Sequence, residues 1–180
     1  MPFKYDPFEH EVGYIRLLTL MPSPEPSADI ECTISHDAVD QAKYTALSYT
    51  WGSIEDKQSI SLNGYTFSVT KNLFLALQDL RSRTEPLTIW IDAICINQED
   101  VDERTHQVKQ MIDVYLYATQ VFIWMGEEIE NLDAAIDLMN WCKSMMKPNG
   151  WGVEGLVHFA DSEHRRDGCC LLYTSDAADE

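Results

Sequence analysis

Two almost uninterrupted apolar runs bracket an amphipathic stretch, and that arrangement limits the folds open to this chain. Residues 87–96 read LTIWIDAICI and residues 121–125 read VFIWM. Runs this short and apolar suit strands buried on both faces, as in a parallel sheet. Between them, in residues 101–118, Val101, Val108, Met111, Ile112, Tyr115 and Ala118 recur at helical spacing. They are expected to form one buried stripe. Strand, helix and strand make a βαβ unit, whose crossover should be right-handed.

The remaining elements fall around that unit. Residues 14–20 (YIRLLTL) and 30–34 read as strands, separated by a loop with three prolines at residues 21–29. Residues 44–52 (YTALSYTWG) are rich in strand formers and end on a glycine. Residues 58–69 carry the clearest local signal. Ile60 and Leu62 alternate before Asn63-Gly64, and Tyr65, Phe67 and Val69 alternate after it. A type I′ turn needs positive φ at both central positions, and Asn-Gly supplies it, so a β-hairpin is expected. Thr70 can then cap a helix over residues 71–83, with Leu73, Ala76, Leu77 and Leu80 inward. A last helix is expected over residues 132–146, capped by Asn131, with Leu132, Ala135, Ile136, Met139, Cys142 and Met146 on its apolar face. The pattern as a whole is α/β: a mainly parallel sheet flanked by helices, elaborated by the hairpin.

Composition narrows the function classes. At 180 residues the chain is one domain's worth, and its formal net charge is −17. Nucleic-acid binders and anionic-lipid binders need a basic face, so neither nucleic acid nor membrane is an expected partner. No apolar run reaches the length of a membrane span, and residues 1–10 lack the apolar core of a secretory signal. Cys32, Cys95, Cys142, Cys169 and Cys170 are odd in number and irregular in spacing. That favours a reducing compartment, hence the cytoplasm, over a disulfide framework. No CxxC or HExxH spacing points to a metal, and no glycine-rich phosphate loop or GxSxG elbow is present. No cofactor is expected. His10, His36, His106, His158 and His164 lie scattered in polar surroundings and read as surface residues.

Three groups of residues could carry chemistry. The first is Asp92, Cys95, Asn97 and Gln98 in WIDAICINQ. A carboxylate in an apolar strand must be paired, hydrogen-bonded or protonated. Ligands of open α/β sheets sit outside the carboxyl ends of strands, where these residues fall. Asp92 is thus either a scaffold group, accepting backbone N–H bonds or pairing with Arg104, or part of a ligand rim. The second group is Glu103, Arg104 and Gln107 in the first turns of the following helix. Glu103 and Gln107 share a face, and Arg104 heads the stripe 104, 108, 111, 115, so it is expected to point inward. Asp100 and Glu103 also have capping-box spacing, so Glu103 is either a helix cap or a reacting carboxylate. The third group is Trp51 and Gly52, a stacking platform beside a close backbone approach, or a core indole and a turn. Cys95 reads as a small core residue.

YTALSYTWG, LNGYTFSVTKNLFLAL, LTIWIDAICINQEDVDERTHQV and MIDVYLYATQVFIWMGE, in this order and spacing, resemble the HET (heterokaryon incompatibility) domain of filamentous fungi. The resemblance divides the chain into a tail (residues 1–13), the HET domain (14–150) and a continuation (151–168). Residues 169–180 resemble the translation of sequencing-adapter DNA and are set aside from the fold, so the natural protein is expected to continue differently. The family implies a cytosolic protein that triggers programmed cell death in allorecognition, akin to innate immunity, by self-association or through other death-signalling proteins. It also implies a distant likeness to TIR domains and so a TIR- or flavodoxin-like core. Some TIR domains cleave NAD⁺ with a catalytic glutamate. The alternative function is therefore a NAD⁺ glycohydrolase in which Glu103 stabilises the ribosyl charge, Asp92 and Arg104 position the substrate and Trp51 stacks on a ring. Under it NAD⁺ is a substrate and not a resident cofactor.

Overall fold

A computed structural model describes residues 3–6, 13–124, 158–159 and 170–174. The strands are β1 (Tyr14–Leu20), β2 (Glu31–Ala38), β3 (Thr45–Tyr49), β4 (Lys57–Leu62), β5 (Tyr65–Thr70), β6 (Leu87–Trp90), β7 (Gln120–Trp124), β8 (His158–Phe159) and β9 (Cys170–Thr174). The helices are α1 (Lys71–Leu80), α2 (Asp92–Cys95) and α3 (Val101–Tyr117). The helix expected over residues 132–146 lies outside the described residues.

The strands form one sheet in the order β5-β4-β2-β1-β6-β3-β7-β9-β8. The α/β class holds, but the sheet is mixed and not mainly parallel. Among the described residues, parallel pairing is confined to β2 with β4 and to the trio β6-β3-β7. β1 runs antiparallel to both of its neighbours. Near-continuous burial reflects cover on both faces, which the apolar run of β1 has without being parallel to anything. Residues 170–174, set aside on sequence, pair antiparallel with β7.

The hairpin forms as its turn residues dictate. Asn63 and Gly64 take φ of 51° and 79°, and Leu62 faces Tyr65 across the turn. Thr70 then caps α1, its side chain accepting from the Leu73 N–H, while Leu73, Ala76 and Leu77 are buried. The helix stops at Leu80, short of residue 83, because Arg81 turns to an extended conformation. Its guanidinium ties down the proline loop through the carbonyls of Pro26, Ala28 and Asp29 at 2.8–3.0 Å.

Two expectations about the signature region are corrected. The run 87–96 is not one strand. β6 ends at Trp90, and residues 92–95 close a single helical turn in which Ile94 and Cys95 donate to the Ile91 carbonyl. Short apolar runs do not distinguish strand from buried turn, and an aspartate at a first turn favours the turn by accepting an N–H that would otherwise be orphaned. The Ala93 N–H donates to Asp92 Oδ1 at 2.7 Å.

The second correction concerns the face of α3. Its buried residues are Glu103, Gln107, Gln110 and Val114, whereas Val101, Val108 and Ile112 are exposed. Of the expected stripe, Ala118 is buried and Met111 and Tyr115 are partly buried. Arg104, expected to point inward, is exposed. The helix is rotated because polar contacts anchor it to the sheet. Gln107 Nε2 donates to the Tyr14 carbonyl at 3.2 Å, and Gln110 Oε1 accepts from the Gly13 N–H at 2.8 Å. The Tyr44 hydroxyl donates to the Val114 carbonyl at 2.6 Å, and the Tyr115 hydroxyl to the Leu47 carbonyl at 3.3 Å. Helix α3 thus lies across β1 and β3, with Tyr115 set edge-on to Trp90 of β6.

Candidate functional site

The nominated residues do not form one constellation; the structure divides them between two. The first is built on a cation that sequence reasoning passed over. Arg16, in the middle of β1, is 1% exposed and forms an ion pair with Glu103, itself 2% exposed. Arg16 Nη2 also lies 3.0 Å from Glu103 Oε2 and donates to the Asp6 carbonyl at 3.1 Å, while Nη1 reaches the Cys95 carbonyl at 3.3 Å. Its guanidinium stands 4.8 Å from the Tyr5 ring centroid. Glu103 Oε1 accepts a further bond from the Asn97 N–H at 2.7 Å. The Tyr5 hydroxyl donates to the Ile94 carbonyl at 2.9 Å, and burial pushes its pKa up.

This pair joins β1, α2, the 96–100 loop and α3. Asp100 caps α3 by accepting from the N–H groups of Asp102 and Glu103, both at 3.0 Å. Only half of the capping box forms, because the Glu103 side chain goes to Arg16 and Asn97 instead of back to Asp100. Arg104 Nη1 touches the Gln98 carbonyl at 3.3 Å; Asp92 bonds to other groups. Cys95 is buried, its Sγ accepting from the Ile91 N–H, and burial pushes its thiol up to about 12. It is a packed side chain and no thiolate at neutral pH.

The second constellation lies at the carboxyl ends of the parallel trio. β3 delivers Tyr49, with Trp51 and Gly52 just beyond it; β6 leads into Asp92; and β7 ends on Trp124. Trp51 Nε1 donates to Asp92 Oδ2 at 2.9 Å. The indole edge stays half-exposed, so Trp51 is neither a core residue nor detached from Asp92. The Tyr49 hydroxyl is buried beside the same carboxylate. Gln98 Nε2 donates to the Asp92 carbonyl at 2.8 Å, which holds the loop after α2. Asn72, in the first turn of α1, donates to the Thr50 carbonyl and accepts from Trp124 Nε1 at 3.0 Å. Gly52 has φ of +72°, and a Cβ there would sit 3.1 Å from the Asn72 Cβ. The glycine is thus required by both backbone conformation and close approach.

Asp92 and Trp51 are brought together as a rim at the strand ends, while Glu103 and Gln107 point into the protein. Arg16, Tyr49, Asn72 and Trp124 were missed. The signal for Arg16 was present: a charge inside an apolar strand must find a partner, the argument made for Asp92. Among the described residues no group of three or more His, Cys, Asp or Glu could hold a metal ion, and no helix is long and apolar enough to cross a membrane. A shallow depression of about 380 Å³, lined by Asp40, Asp113 and Tyr117, includes none of the nominated residues.

Burial raises the Asp92 pKa above its ordinary value, against the lowering effect of bonds from Trp51 and Ala93. A raised folded-state pKa means that the folded protein binds more protons between the unfolded and folded values. Stability contributed there is lost as pH rises through that window. Asp92→Asn removes this titration. The variant is expected to be at least as stable as the parent at pH 7, with the advantage shrinking as pH falls toward about 4. Urea unfolding across that range checks it; an advantage that grows with acidification would show that the ionised form is the favoured one.

The profile described as heterokaryon incompatibility protein (HET) matches residues 44–162. Heterokaryon incompatibility protein 6, OR allele, of Neurospora crassa is 35% identical over 148 residues, covering 74% of this chain. The matched region is 21% of that relative's length. No solved structure matches the chain.

Proposed function

This chain belongs to the heterokaryon incompatibility (HET) family, and we propose that it is a fungal allorecognition domain that triggers programmed cell death in the cytoplasm when copies self-associate. One observation carries the scaffold reading of its signature. Both carboxylate oxygens of Glu103 are engaged, by Arg16 and by the Asn97 N–H, in a buried pair that ties the WIDAICINQ loop to β1 and α3. In this arrangement the signature sets the shape of the domain's surface and leaves Glu103 with no free edge for a substrate. The relative carries incompatibility in its name. The parallel trio with its α3 crossover supports a distant TIR likeness, while β1 and the hairpin depart from a plain TIR layout.

The NAD⁺ glycohydrolase reading keeps a foothold only at the other rim, where Trp51 and Asp92 meet at the strand ends. The two readings part in one experiment. The domain is fused to a chemically inducible dimeriser and expressed in fungal cells, and viability and total NAD⁺ are followed together. The expected result is death that needs the dimerising ligand and precedes any fall in NAD⁺. Death that follows NAD⁺ loss would favour the enzyme, and folded, dimerised protein without death would end the signalling reading.

A further inference from the structure

The rotation of α3 that buries its polar residues leaves an apolar stripe facing outward. Val101, Val108, Ile112 and Leu116 are 60, 52, 72 and 62% exposed, at spacings of seven, four and four residues that put them on one face. No described residue covers this face. A helix whose apolar side faces water while three polar side chains are buried beneath it has a second surface to satisfy.

We propose that this stripe is where a second copy of the chain docks, α3 against α3 about a two-fold axis. Charge selects the occupant. The chain carries −17, so two copies repel over most of their surfaces. The helix itself is the exception: among the exposed side chains of α3, Arg104 and Lys109 balance Asp102 and Asp113, with Glu99 and Asp100 just before its first turn. Like-charged molecules can approach there with least repulsion. The stripe is also self-complementary. In an antiparallel pair with Val101 of each copy facing Leu116 of the other, the axis passes beside Val108, as an isologous contact requires.

Size sets the strength. Seventeen residues at about 1.5 Å each make a strip about 25 Å long and, at a helix width of about 10 Å, roughly 250 Å² in area, well short of the roughly 800 Å² per partner of a stable complex. Association of free domains is therefore weak, and tethering tightens it through effective concentration. That is how a regulated trigger must behave, and the surface presupposes the self-association reading proposed above.

Sedimentation velocity over roughly 1–500 μM, a span that brackets weak association, tests the surface on the whole chain and on Ile112→Asp, Ile112→Lys and Ile54→Asp. Ile54 is 70% exposed and lies outside α3, so it controls for added charge at an apolar surface position. Ile112→Lys lowers the net negative charge and separates lost apolar contact from added repulsion. The expected result is concentration-dependent dimerisation, weakened at least tenfold by both Ile112 variants and unchanged by Ile54→Asp, with melting temperatures equal throughout. A parent chain that stays monomeric, or a dimer indifferent to both Ile112 variants, overturns the surface. So does a monomeric parent whose Ile112 variants melt lower, because the face would then be covered by the chain's own residues. The dimeriser experiment separates the two proposals. Death on forced dimerisation with association indifferent to Ile112 discards the surface alone; loss of association at Ile112 without death on forced dimerisation discards the signalling reading alone.

Discussion

Glu103→Ala should lower the stability of the domain by about 3–5 kcal/mol, the usual cost of leaving one member of a buried ion pair without its partner. Arg16 would remain in the middle of β1, 1% exposed, without the Glu103 carboxylate. The Asn97 N–H would lose its acceptor as well, so the loop joining α2 to α3 would lose an anchor. For a chain of this size the loss corresponds to a fall in melting temperature of roughly 6–20 °C. The reciprocal change, Arg16→Met, should cost a similar amount, because it leaves the carboxylate buried instead. The double variant Arg16→Met/Glu103→Leu should recover most of the stability, since replacing both charges by apolar groups removes the desolvation burden along with the attraction. Thermal unfolding of the three variants checks this. A catalytic glutamate predicts the opposite pattern, in which Glu103→Ala melts like the parent and only activity is lost.

The second large effect is expected at Trp90. This side chain has no exposed surface, follows Ile89 and precedes Ile91, both also fully buried, and stands edge-on to Tyr115 at a centroid distance of 5.8 Å. Trp90→Ala should cost about 3–5 kcal/mol, from lost apolar burial and the cavity left between β6 and α3. Trp90→Phe should cost far less. Its ring keeps the contact with Tyr115, and the change removes an indole N–H that has no hydrogen-bond partner among the described residues. An unsatisfied buried donor carries a penalty of about 1–3 kcal/mol, which offsets part of the lost volume. Chemical denaturation of both variants separates the terms; equal destabilisation would mean that the indole N–H is satisfied after all.

These two residues show where sequence reasoning reached and where it stopped. Trp90 was legible, because it sits in an uninterrupted apolar run and such runs are buried. The pairing of Arg16 with Glu103 was not, because the residues stand 87 positions apart and belong to elements whose orientation no local pattern reveals. Asp92 was read as a polar group that needs partners, and it has them, but the partners are the Trp51 indole and the Ala93 amide. The proposed Asp92–Arg104 pairing failed with the assumed face of α3. Counting apolar residues along α3 pointed to Val101, Val108 and Ile112 as the buried side. Three specific polar contacts, to Gly13 and to Tyr14 and Arg16 of β1, turned the helix the other way. A hydrophobic stripe is a default, and buried hydrogen bonds to a neighbouring strand can override it.

What the sequence determined by itself is local: the Asn63-Gly64 turn, the Thr70 and Asp100 caps, and the alternation that makes β4 and β5 a hairpin. Each depends on a few adjacent residues and their φ preferences or side-chain acceptors, so each can be read in place. Only the tertiary structure decided that β1 runs antiparallel between β2 and β6, that residues 92–95 coil instead of extending the strand, and that α3 shows its apolar face to solvent. Those outcomes depend on long-range partners, and a hydrogen bond or ion pair between distant segments leaves no periodicity in the chain that makes it.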